Sequence, residues 1–155
     1  VISETQFNKI QTLIQKGIDE GAKLVAGGTG KPDGLDKGYF VKPTAFADVN
    51  NQMEIARTEI FGPVLSIIPF ETEEEAIRLA NDTIYGLNAM LFTENVRRAH
   101  RVAGQLRAGT VWVNCFFIRD LRAPFGGFGD SGIGREGGKY SKEFFTEPKA
   151  VVMKL

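Results

Sequence analysis

The chain has one cysteine, one histidine and one tryptophan in 155 residues. The lone thiol, Cys115, excludes an intrachain disulfide and fits a reducing compartment. Lysine plus arginine number 19, as do aspartate plus glutamate. There is thus no basic surplus of the kind a nucleic-acid or anionic-membrane partner needs, although a local patch stays open. No apolar run approaches the roughly 20 residues of a membrane-spanning helix. The N-terminus is amphipathic and acidic rather than basic then apolar, so no signal peptide and a cytoplasmic location are expected. No metal site, internal repeat or low-complexity segment is evident. What remains is a domain-sized chain whose 43% hydrophobic content suffices for a core without covalent staples.

Periodicity outlines its elements. Ser3 with Gln6 reads as a capping box, and Phe7, Ile10, Ile14 and Ile18 as one helical face, stopped by Gly21. Residues 23–26 read as a strand, 27–38 as a glycine-rich loop and 39–49 as extended chain broken by Pro43. A strand–helix–strand–helix–strand rhythm follows. The run Val64 to Ile68 reads as a strand covered on both faces. Thr72 with Glu75 caps a helix that buries Ala76, Ile77 and Ala80. Residues 89–92 form the next strand. Thr93 caps a helix with Val96, Ala99, Val102, Ala103 and Leu106 inward, and residues 110–113 form the third strand. Single-helix crossovers demand parallel strands, so the predicted fold is α/β with a parallel, doubly wound sheet. Residues 115–138 hold seven glycines and read as a long functional loop. A short helix over 139–144 and an unpaired terminal strand over 150–154 complete the chain.

Four features offer chemistry. Cys115 is the sole candidate nucleophile, but its position suits a small residue at a strand end, and His100 has no reason to face it. Glu59-Ile60-Phe61-Gly62-Pro63 places a carboxylate two residues from an aromatic ring on a tight turn. The pair is a cofactor contact, with ribose hydroxyls on Glu59 and a ring face on Phe61; otherwise Ile60 and Phe61 fill the core and Glu59 is a solvated turn residue. Gly127 to Gly132 spells G-x-G-x-x-G but neither leaves a strand nor opens a helix, so no dinucleotide site is expected; Lys31 likewise lacks the phosphate-loop spacing. Arg119 and Arg122 flank Asp120. A guanidinium fork grips carboxylates, so Arg119, or failing it Arg122, anchors a substrate carboxylate, or they form surface ion pairs with Asp120 or Glu136. Phe116, Phe117 and Ile118 are either wall or core.

Three blocks, Glu59-Ile60-Phe61-Gly62-Pro63-Val64, Asn81 to Leu87, and Pro124-Phe125-Gly126-Gly127 with Ser131-Gly132-Ile133-Gly134-Arg135-Glu136, occur in order. Lys42-Pro43-Thr44, Ala108 to Asn114 and Thr146 to Lys149 stand before, between and after them. Together they resemble the C-terminal third of the NAD(P)-dependent aldehyde dehydrogenases. The Arg-Asp-Leu-Arg run resembles the hydroxymuconic semialdehyde types of aromatic-ring degradation. The resemblance implies that Glu59 holds the nicotinamide ribose and Phe61 contacts the nicotinamide. It further implies that Phe125 lines the aldehyde tunnel, where Phe117 could serve likewise or be plain core, and that Arg119, or failing it Arg122, meets a substrate carboxylate. It implies no catalytic residue within the chain: the nucleophilic cysteine, the general-base glutamate and the nucleotide-binding loop lie upstream of Val1. Residues 1–138 are then the end of the catalytic domain. Residues 139–155 are an oligomerisation tail, whose strand adds to a neighbouring subunit or to the chain's own sheet. Thr58 and Gly129 depart from the family's usual acidic residue and lysine. The chain is either part of such an oxidoreductase or a stand-alone remnant with a structural, self-associating role.

Overall fold

The computed structural model describes residues 1–154, in two compact units: Val1–Ala76, and a second beginning at Ile77.

In the first unit, helix α1 (Glu4–Asp19) starts where the Ser3 hydroxyl accepts the Gln6 N–H at 3.2 Å. Its buried face is Ile10, Leu13, Ile14 and Gly17 rather than the face ending at Ile18, which is exposed. Gly17 explains the rotation. A Cβ there would lie 2.9 Å from Ile55 Cδ1 and 3.2 Å from the Phe46 ring, so the bare backbone permits the helix to seat on α2 (Glu54–Arg57). Strands β1 (Lys23–Ala26) and β2 (Thr44–Ala47) pair antiparallel, with a register shift between Leu24 and Ala26. Strand β3 (Val64–Ser66) joins β2 in parallel, Thr44 opposite Val64. Ile10, Ile14, Phe46 and Val49 are fully buried, with Val41, Ile55 and Ile60 around them. Covering a side chain such as Phe46 contributes about 3 kcal/mol. Leu65 and Ile67 are half exposed, so the run from Val64 to Ile68 is covered on one face within this chain, not on both.

Helix α3 (Glu73–Asn81) crosses the boundary between the units. Thr72 Oγ1 accepts the Glu75 N–H at 3.1 Å, and the Glu75 carboxylate accepts the Glu71 N–H at 2.8 Å. In the second unit, β4 (Asn88–Leu91) and β5 (Thr110–Val113) lie parallel around the crossover helix α4 (Val96–Gln105). The α4 cap is Asn95, which accepts the Arg98 N–H at 3.0 Å; Thr93 instead accepts the Asn95 N–H. That places Val102 inward and leaves Val96 exposed. The Asn81 amide accepts the Arg107 N–H and donates to the Gln105 carbonyl, stitching α3 to the end of α4.

The class is the predicted one, α/β with parallel pairs β2–β3 and β4–β5 joined through helices. β1 is the antiparallel exception, and the strands fall into two sheets. Helix α5 (Gly138–Phe145) follows the glycine-rich segment. Residues 150–154 form no strand here: a strand exists by pairing, and this segment pairs with no strand of the described residues. The last residue of the predicted tail, Leu155, lies outside the described residues.

Candidate functional site

The turn from Glu59 to Pro63 rests on α1. Ile60 enters the core, 8% exposed. Phe61 has φ +56°, in the left-handed region that bulky residues seldom occupy, and its ring is 73% exposed. Three donors from α1 hold this backbone. Gln6 Nε2 donates to the carbonyls of Ile60 at 2.9 Å and Phe61 at 3.1 Å. Lys9 Nζ donates to the Glu59 carbonyl at 3.0 Å. A Cβ on Gly62 would meet Ile10 Cδ1 at 2.5 Å, so glycine allows the turn to lie on the helix. The Pro63 carbonyl then receives the Thr44 N–H at 2.9 Å, locking the turn to the sheet. Glu59 and Phe61 are left presented outward: two carboxylate oxygens and a flat apolar face on a fixed frame. Their chemistry fits a ribose and a nicotinamide ring. The part played by Gln6 was not read from the sequence, where the capping pattern turned its side chain back toward Ser3. An amide has two N–H donors and a glutamate none, which is the signal that was there.

In the second unit, β5 ends at Asn114, with φ +53°. Its amide donates to the Thr93 carbonyl and accepts the Thr93 N–H, both at 2.8 Å. The chain then turns through half-buried Cys115 to Phe116, Phe117 (φ +59°) and Ile118, all largely exposed. These three are therefore surface rather than core. Trp112 packs against both phenylalanines, with ring centroids 5.6 and 6.1 Å away. No hydrogen bond or ion pair of the described residues joins Cys115 to His100, which sits exposed on α4.

The two arginines have different surroundings. Arg122 is bound to Asp120 by both faces of its fork, at 2.6 Å from Nη2 and 2.9 Å from Nε. That side-chain bond, seconded by the Arg122 backbone N–H, holds the Asp120 carboxyl below its ordinary value, and Asp120 in turn raises the Arg122 guanidinium. The Arg119 guanidinium lies 4.3 Å over the Phe125 ring and reaches Glu136 at only 3.9 Å. Its planar face is occupied, while the Glu136 carboxylate stands beyond hydrogen-bond distance of its donors. Phe125 is fixed by a two-bond bridge to Glu136, each bond 2.8 Å.

The glycines after Phe125 serve close packing. Arg135 Nη1 donates to the carbonyls of Gly127 and Gly134 at 2.9 and 2.7 Å. Ser131 accepts the Gly86 N–H at 3.0 Å. A Cβ on Gly129 would strike the Ile84 carbonyl at 2.3 Å. The G-x-G-x-x-G string thus folds into a 3-10 turn (Gly129–Ser131) against Ile84 and Gly86, not a phosphate cradle. A shallow cavity of about 230 Å³ lies between Phe125, Arg135, Phe144 and Phe145.

The sequence profile of the Aldehyde dehydrogenase family matches residues 1–151. The chain belongs to the aldehyde dehydrogenase family. It is 53% identical over 150 residues to 3-succinoylsemialdehyde-pyridine dehydrogenase of Pseudomonas sp., covering 97% of this chain and 31% of that one. It is 50% identical over 157 residues to 2-hydroxymuconic semialdehyde dehydrogenase of Pseudomonas putida, covering 100% and 32%. Among solved structures, an aldehyde dehydrogenase from Mycobacterium tuberculosis complexed with NAD+ superposes with a TM-score of 0.93 at 50% identity, over 99% of this chain and 32% of that one. The chain thus spans about a third of the length of the relatives it matches.

Proposed function

We propose that these residues act as the C-terminal part of a NAD(P)-dependent aldehyde dehydrogenase that oxidises a carboxylated semialdehyde to its acid. The observation that carries this reading is the left-handed turn presenting Glu59 and Phe61, pinned by three hydrogen bonds from α1. The Glu59 carboxylate accepts from the two nicotinamide-ribose hydroxyls, and the Phe61 ring lies against the nicotinamide. When bound, the dinucleotide supplies a hydride acceptor. What these side chains do is orient it, and orientation is worth much of a hydride-transfer rate. The names of the matched semialdehyde dehydrogenases and the NAD+ bound in the similar solved structure support the assignment.

Substrate choice lies with the second unit. Phe125 and Phe117 form the wall, and Arg119 receives the substrate carboxylate. Arg122, already paired with Asp120, is the weaker candidate. Catalysis needs a thiolate, a base and a pyrophosphate-holding loop from polypeptide outside the 155 residues, and Cys115 takes no part. Residues 139–155 pair with a second subunit. Glu59→Gln and Phe61→Ala, in the complete enzyme, test the cofactor contact. Losing one charge-assisted hydrogen bond should raise the KM for NAD about tenfold with a smaller change in the KM for aldehyde. Unchanged cofactor KM in both variants overturns the reading.

A further inference from the structure

Trp112, the chain's one tryptophan, is 6% exposed. An indole N–H buried to that extent needs an acceptor. It finds the Ile118 carbonyl at 2.9 Å, six residues further on and immediately before Arg119. The segment between contains two left-handed residues, Asn114 and Phe117, and two rings that lean on the indole. Among the described residues, this is the hydrogen bond that ties the backbone of residues 115–119 back to the strands. Beyond Arg119 the frame is equally defined, since the guanidinium lies over Phe125 and Phe125 is bridged to Glu136. Arg119 therefore sits between a carbonyl fixed by Trp112 and a ring fixed by the bridge.

We infer that Trp112 is a positioning residue for substrate selection: its Nε1–H holds the Ile118 carbonyl and thereby sets the Arg119 guanidinium at the place where a substrate carboxylate arrives. The inference rests on the Arg119 reading proposed above. A tryptophan that merely fills space needs its ring but not its N–H, so removing the N–H alone separates the two roles.

The test uses the complete enzyme containing this chain, with a carboxylated semialdehyde and an uncharged aldehyde of equal length. Trp112 is replaced by Phe, and separately by benzothienylalanine, which keeps the bicyclic shape and carries sulfur where the N–H was. Arg119→Gln is the reference. Loss of one buried hydrogen bond predicts a rise of about fivefold in KM for the carboxylated substrate in the benzothienylalanine protein. Its kcat should stay within about twofold of wild type, and its kcat/KM for the uncharged aldehyde should be unchanged. If that protein keeps the wild-type KM while Arg119→Gln raises it, the positioning role is overturned and the Arg119 reading stands. If Arg119→Gln leaves the preference intact, both fall. An equal loss on both substrates also overturns the positioning role, because it marks a packing defect. Should the Phe variant fail to fold, the isosteric replacement still decides.

Discussion

Asp120 and Arg122 show how one ion pair narrows the choice between two similar arginines. The carboxyl of Asp120 is held below its ordinary value of 3.8 by the Arg122 fork. A depressed carboxylate favours its partner above the ordinary value and loses that preference as the pH falls through the lowered one. NMR titration of Asp120 should therefore give a midpoint under 3.8, returning toward it in Arg122→Gln. Both side chains are solvent-exposed, so the pair should add little to stability. Arg119, stacked on Phe125 and only loosely paired with Glu136 at 3.9 Å, is the residue whose loss is expected to remove any preference for a carboxylated aldehyde. Arg119→Ala should raise that substrate's KM by about tenfold, and Arg122→Ala by less than about twofold, in steady-state kinetics. The sequence put Arg119 ahead of Arg122 without a geometric reason, because which carboxylate each fork meets is decided by the fold. Phe61 was legible as a motif member, but not as an exposed, left-handed residue; its alternative reading as core is met by Ile60 alone.

At the scale of elements, α1 is the support of the turn from Glu59 to Pro63. Gly62→Ala puts a methyl 2.5 Å from Ile10 Cδ1 and 3.0 Å from its Cγ1, and Ile10 is fully buried. The expected cost is about 1–3 kcal/mol in denaturant unfolding. Ile10→Val removes the offending Cδ1, so the double variant should recover part of that loss relative to the sum of the single changes. Gln6→Leu keeps the bulk but removes both donors. Amide exchange at Phe61, Gly62 and Val64 should accelerate about tenfold in that variant while α1 itself stays protected. Boundaries set by repeating apolar positions were readable: α1, α4, α5 and the strands from 23, 64, 89 and 110 lie within a few residues of expectation. The helical face of α1 was misjudged because Gly17 carries no hydrophobic signal, yet marks the closest approach to α2. The short helix α2 and the 3-10 turn at Gly129–Ser131 were missed for want of any periodicity over so few residues.

On the scale of the molecule, apolar surface is abundant. Val151, Val152 and Met153 stand 70, 94 and 79% exposed. If the tail completes a sheet in a second subunit, deleting residues 148–155 should lower the oligomeric state of the complete enzyme by size-exclusion light scattering; an unaltered mass counts against it. The 155 residues alone should form no reduced cofactor from any aldehyde, and Cys115→Ser in the complete enzyme should leave turnover intact. Among the described residues β1 pairs with β2 alone, and all four of its residues are exposed. The unpaired rim of Lys23-Leu24-Val25-Ala26 is a template on which identical chains can stack into fibres when nothing shields it. Purified in isolation, the chain should grow thioflavin-positive aggregates on warming, and a proline at Val25 should slow their appearance.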